Sequence, residues 1–338
     1  MGIIVLVLLA IFINGSVFAE PSEPSLHSIP FLLPGAEGGT GFDDLNYSLN
    51  LHKVLVPGGR TGNLYLIDPK THTVSVINGF STESRYPGGH GQSVTSADEG
   101  RGFIFIADRD TLRINAVDLK ATAVVDSSSL AGGPDYVRFI GTTNEVWVTE
   151  PSSERIEIFT FSAKPKPVLS HSGFIDVPGG PESLIEDRTR QLAFTHLWEG
   201  KTEVIDIRKR KIINQWPNGC GGSRGIALDQ KRGFLFAGCA EGKAVVLDVD
   251  HNGRQLGSVL TGSGVDVIGY NAALSHLYLS AANSATLSVI GVSDAGKLNL
   301  LATGRAVQGA HCVTGDDQGN IWVCDPQHGQ LLLYKDRF

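Results

Sequence analysis

Seven times between Asp43 and Phe338 the chain repeats one pattern: a turn, one mostly ionisable residue, then short apolar strands separated by Gly, Asp, Asn and Ser. The units open at Asp43, Ser93, Asp135, Glu182, Arg224, Asp266 and His311. Two pairs align without a gap: DDLNYSLNLHKVLV (43–56) on DVIGYNAALSHLYL (266–279), and SADEGRGFIF (96–105) on ALDQKRGFLF (227–236). Alternating Val, Ile, Leu, Phe and Tyr predict strands, and no long apolar period of 3.6 predicts a helix in the region after residue 19. Four strands recurring at roughly 40–50 residues predict propeller blades. The fold class read from the sequence is therefore all-β, a seven-bladed β-propeller with four-stranded blades. The last unit offers only three strands, and LHSIPFLLPG (26–35) reads as the missing fourth, an N-terminal strand that completes the last blade and closes the ring. A β-sandwich or a pair of barrels would not need seven phased copies.

The apolar run IIVLVLLAIFI (3–13), followed by small residues at Val17 and Ala19, predicts a signal peptide over 1–19, with a single propeller domain over 20–338. The run is shorter than the ~20 residues of a spanning helix, so no membrane span is expected after cleavage. Export places the chain in the periplasm or outside the cell. Four cysteines fit an oxidising compartment: Cys220 and Cys239 flank one predicted hairpin, Cys312 and Cys324 another, and the expected disulfides are 220–239 and 312–324. The net charge of −7, with no long Lys/Arg run, argues against a nucleic-acid partner. A monomer is expected.

The stretch GGPDYVRFIGTTNEVWVTEPSSERIEIFTF (132–161) resembles the YVTN-type propeller repeat, and the whole region after residue 19 is similar to exported YncE-like propeller proteins. The resemblance implies the fold. Related propellers include lactonases and metal-dependent gluconolactonase-type enzymes, and many others only bind, so it implies no single activity.

In a propeller the innermost strand of each blade lines the central channel, and the loop entering it opens on one face. The seven opening residues are therefore expected to ring one mouth. Asp43, Asp266 and His311 are consecutive in ring order and, with His90 in GGHGQ, form a candidate metal set for Ca²⁺ or Zn²⁺. Glu182 and Asp135 are neighbouring carboxylates suited to acid–base work, and Arg224 is placed to hold an anion. Substrate contacts are expected from Ser93 and from the next shell of turns: Arg60, Arg109, Glu150, His196 with Trp198, and His328. Two readings stay open. One is a metal-dependent ester or lactone hydrolase. The other is a non-enzymatic module for a small molecule or a partner peptide. A third possibility needs no ligand: Arg224 neutralises Glu182 and Asp266 in a structural ion-pair belt.

Overall fold

The computed structural model describes residues 26–338. The signal-peptide reading lies outside them. Seven four-stranded antiparallel sheets follow one another around a ring. Their inner strands are Asn46–Ser48, Val94–Gly100, Val137–Ile140, Ile185–Asp187, Ser223–Asp229, Val265–Asn271 and Val313–Gly315, for blades 1 to 7 in turn. The second strand of each blade is almost wholly buried, whereas outer strands such as Ala123–Ser129 are largely exposed. This gradient is the physical reason for the repeat. A single sheet cannot cover its own faces, so each is buried by its neighbours. Side chains interleaved between blades make the core, with Trp147, Trp322, Tyr65 and Tyr278 among the largest fully buried.

The seventh blade closes as the sequence predicts. Ile29–Leu32 pairs antiparallel with Gln330–Lys335, with Ile29 opposite Leu333 and Leu32 opposite Gln330. Phe31 on this strand packs edge-on against Trp322, centroids 5.1 Å apart. Chain start and chain end thus share one sheet, and the edge that Gln330–Lys335 would present is covered.

Both expected disulfides are present. Cys220–Cys239 and Cys312–Cys324 have Cα separations of 5.2 and 5.6 Å. Each ties the entry of an inner strand to the second strand of the same blade. They are consistent with an extracellular location. Among the described residues no helix is long and apolar enough to cross a membrane.

The recurring aspartates in the first hairpin of the blades do structural work away from the mouth. Asp316 accepts hydrogen bonds from Trp322 Nε1 (2.6 Å) and from the backbone and side chain of Asn320. Asp187 and Asp229 hold Arg190 and Arg232 three residues on, both by backbone and by side chain.

Candidate functional site

Local irregularity in the inner strands aims the mouth residues. In blades 5 and 6 the ladder slips between Ser223 and Ile226 and between Val265 and Ile268. The slipped residues are Arg224-Gly225 and Asp266-Val267. A bulge breaks the strict in–out alternation and re-aims a side chain. The two bulges lie side by side: a Cβ on Gly225 would stand 2.2 Å from the Asp266 carbonyl oxygen, so only glycine lets the two backbones approach this closely.

Blade 2 has the same irregularity, between Val94 and Ser96, which places Thr95 at the ring position. Its carbonyl accepts from Asp44 N at 3.1 Å, as the His311 carbonyl accepts from Val267 N at 3.0 Å. Ser93, expected at the mouth, is instead completely buried. It takes a left-handed φ of 54°, its N–H donates to Asp110 Oδ2, and its hydroxyl donates to the Ser81 carbonyl. The sequence register was two residues early here because this left-handed turn precedes the strand.

One arginine organises the throat. Arg109 Nη2 contacts Asp135 Oδ1 at 2.8 Å and Asp43 Oδ2 at 3.1 Å, while Nε donates to the Pro134 carbonyl at 2.8 Å. An ion-pair belt therefore exists. Its bridging cation is Arg109, expected one shell further out, and not Arg224. His90 Nδ1 stands 3.2 Å from Asp43 Oδ1, at ion-pair distance but off the line of a hydrogen bond. The His90 and His311 rings lie 4.8 Å apart.

Burial alone would raise the Asp43 carboxyl, but His90, Arg109 and His311 together hold it below its ordinary value. Asp135 goes the other way: burial and the Asp43 charge push it well up despite Arg109. Glu182 is pushed up to about 7, mainly by burial and then by Asp266, against the pull of Trp198 and Arg224. His90 is raised to about 9 by the Asp43 charge.

Beside this belt is a cavity of about 400 Å³. His90, His311, Arg224, Asp266, Asn283 and Gln327 supply its polar groups, and small or apolar residues such as Ala240, Ala282 and Pro326 supply the rest. Arg224 lies with its guanidinium carbon 3.6 Å from the Trp198 ring centroid and makes one loose contact, 3.4 Å, to Glu182 Oε1. It does not reach Asp266. Asp266 is half-buried, and among the described residues it has no hydrogen-bond or ion-pair partner.

The outer shell differs more from expectation. His196 is fully buried, with Nδ1 2.9 Å from Thr202 Oγ1, and burial pushes it down to about 4. The second strand runs on through Leu197, so His196 packs between blades and the exposed member of the pair is Trp198. Glu150 is also fully buried, accepting from Gly132 N at 2.8 Å and Arg155 Nε at 2.5 Å. Neither reaches the mouth. Arg60 is engaged by the carbonyls of Gly39 and Glu37. His328 is exposed and held through Nδ1 by the buried carboxylate of Asp325, 2.9 Å away.

Asp43, His90 and His311 each offer one ligand atom within 4.8 Å of the others. As arranged, these donors do not fit a divalent ion. Asp43 already faces Arg109, so an ion would sit beside a guanidinium. His311 has both nitrogens on backbone carbonyls, Gly309 O at 2.7 Å and Phe42 O at 2.8 Å, and carbonyls only accept. Asp266, expected as a ligand beside these three, stands outside this cluster.

A second polar layer, which the repeat pattern did not reveal, lies on the inner strands. Arg138 makes a bidentate pair with Asp44 at 2.6 and 3.1 Å, and Ser96 Oγ donates to the same carboxylate. It links blades 1, 2 and 3 through side chains that are almost buried.

No protein-family model matches the sequence, and no curated protein matches it. Solved structures match over nearly the full length. A chain of a Mitotic Checkpoint Complex structure aligns at TM-score 0.75 and 13% identity, covering 98% of this chain and 99% of that one. The β-propeller domain of Myceliophteria thermophila Cps50 (Swd1) aligns at 0.71 and 11%, over 92% and 99%. A chain of Kuenenia stuttgartiensis hydrazine synthase aligns at 0.68 and 9%, over 96% and 99%. At these identities the likeness is one of fold, and it establishes the seven-bladed propeller.

Proposed function

We propose that the chain is an exported propeller of the YVTN type that binds a small polar ligand in the cavity at its mouth. One observation carries the reading: Asp266 and Arg224, on adjacent bulges, face one cavity of about 400 Å³ with unused bonding capacity. That volume lies in the usual range for small-molecule sites. A half-buried carboxylate without a partner is costly to maintain, and a bound ligand is the simplest compensation. The other acids of the ring each touch a cation, Asp43 and Asp135 through Arg109 and Glu182 loosely through Arg224. Among the described residues Asp266 touches none and has only the more distant charge of His90.

Thermal denaturation in the presence of small polar compounds tests this: dicarboxylates, sugar acids and amino acids at millimolar concentration. At least one class should raise the midpoint by several degrees, since ligand at 100 times Kd stabilises by about 2.7 kcal/mol. The shift should vanish in Arg224→Gln and Asp266→Asn. No shift with any class, or equal shifts in both variants, overturns the reading.

A divalent-metal hydrolase is the second reading, favoured by the gathering of Asp43, His90 and His311. It requires His311 to release a carbonyl and Asp43 to leave Arg109. Zinc or calcium that binds equally well to His311→Ala would remove it.

A further inference from the structure

Arg224 and Asp266 carry opposite charges at equivalent positions of neighbouring blades, yet they do not pair. Their backbones touch at Gly225, but no contact within 4.0 Å joins the Arg224 guanidinium to the Asp266 carboxylate. The carboxylate that Arg224 does touch is Glu182, through Oε1 at 3.4 Å. Arg224 is instead turned onto the Trp198 face, which holds its planar donors open on one side. Asp266 faces the cavity with no direct partner among the described residues, its charge felt there by His90. Other charges near the mouth are in closer contact: Asp43 and Asp135 with Arg109, and His90 with Asp43, while Glu182 has only the loose 3.4 Å contact to Arg224.

From this juxtaposition we infer that the cavity selects a zwitterion, a free amino acid or short peptide. Its ammonium is held by Asp266 and its carboxylate by Arg224. The inference rests on the reading of the mouth as a ligand site and names the chemistry that site takes. A dianion would satisfy Arg224 but face Asp266 across the cavity. A dication would satisfy Asp266 but meet Arg224 and the raised charge of His90. A neutral sugar would leave Asp266 without a direct partner and Arg224 with only its loose contact to Glu182, in a partly desolvated space. A molecule with one charge of each sign pairs both and enters with no net charge. Its neutral body meets Ala240, Ala282, Val265 and Pro326, whose short side chains leave room for a backbone and a small side chain. Asn283 and Gln327 line the same space and can accept from or donate to peptide groups.

Calorimetric titration of the full chain with alanine, dialanine and trialanine, and with trialanine acetylated at its N-terminus or amidated at its C-terminus, decides it. At least one free form should bind, and each blocked form should bind tenfold or more weakly. Asp266→Asn should abolish the penalty for acetylation and keep that for amidation, and Arg224→Gln should do the reverse. Blocked peptides that bind as well as the free one, a penalty at one end only, or no binding by any free form overturns the inference. Where a variant fails to fold, the blocked-peptide comparison on the unmodified protein still decides. Dicarboxylates or sugar acids that bind while all the zwitterions fail would sink this inference and leave the small-ligand reading standing. No binding by any class sinks both.

Discussion

Arg109 is the residue on which the throat depends. Among the described residues it is the only cation in contact with both Asp43 and Asp135, and all three are largely buried. Replacing it with methionine should cost about 3–5 kcal/mol at pH 7, the range for stranding buried charges. Urea denaturation checks the value, and the sign of its pH dependence is diagnostic. Asp135, already raised, takes up a proton readily on acidification, so the loss should shrink towards pH 4. An equal loss at both pH values would mean that Arg109 acts through packing. Arg109 also shows what sequence reading misses at this scale. Its place in the second-to-third-strand turn of its blade was legible, but the reach of its side chain into the throat was not. That reach depends on four carbonyl and carboxylate partners drawn from blades 1 and 3 and from the His90 loop.

At the scale of elements, the paired bulges of blades 5 and 6 position the site. Gly225→Ala should destabilise by about 1–3 kcal/mol, as overpacking commonly does. The added methyl would press hardest on the Asp266 carbonyl at 2.2 Å, then on the Ile268 side chain and amide at 2.8 and 2.9 Å, so the variant should also lose ligand-induced stabilisation. Denaturation of the variant with and without ligand separates the two effects. In blade 3, buried Glu150 and Glu157 accept from the consecutive amides of Gly132 and Ala131, just before Pro134 and Asp135. Burial and the neighbouring Glu150 push Glu157 up to about 7. A carboxyl held above its unfolded value lowers stability as pH rises through that interval, so Glu157 and Glu182 both weaken the fold between about pH 4.5 and 7. His90, raised from 6.5 to about 9, contributes fully below the lower value and loses its contribution as pH rises through the upper one. Calorimetry should therefore show the melting midpoint falling from about pH 5 to pH 9. Glu157→Gln should flatten the acidic half of that fall and His90→Gln the alkaline half. A midpoint that rises over this range contradicts the assignment.

For the whole molecule, closure is the controlling feature. The strand Ile29–Leu32 covers the outer edge of blade 7, and removing residues 26–35 would bare Gln330–Lys335 as a free edge. The truncated protein should melt lower and self-associate with concentration, because an unpaired strand edge is a template for another chain. Sedimentation velocity over a tenfold concentration range reads the second effect. A monomer of unchanged stability would mean that blade 7 closes with three strands.

Seven phased units, the completing N-terminal strand, both disulfide pairings and the mouth positions of Arg224, Asp266 and His311 were legible in the chain. They depend on local periodicity, turn chemistry and the single choice that buries every sheet face. The burial of Ser93, Glu150 and His196, the Arg109 bridge and the Arg138–Asp44 pair were not. They depend on where a strand ends by one residue and which blade a long side chain reaches. The polar ring marked by GGPDYV and GGPESL was written in sequence, but which of its acids touch a cation, and that Asp266 among them does not, was decided only by folding, because counter-charges arrive from blades far apart in the chain.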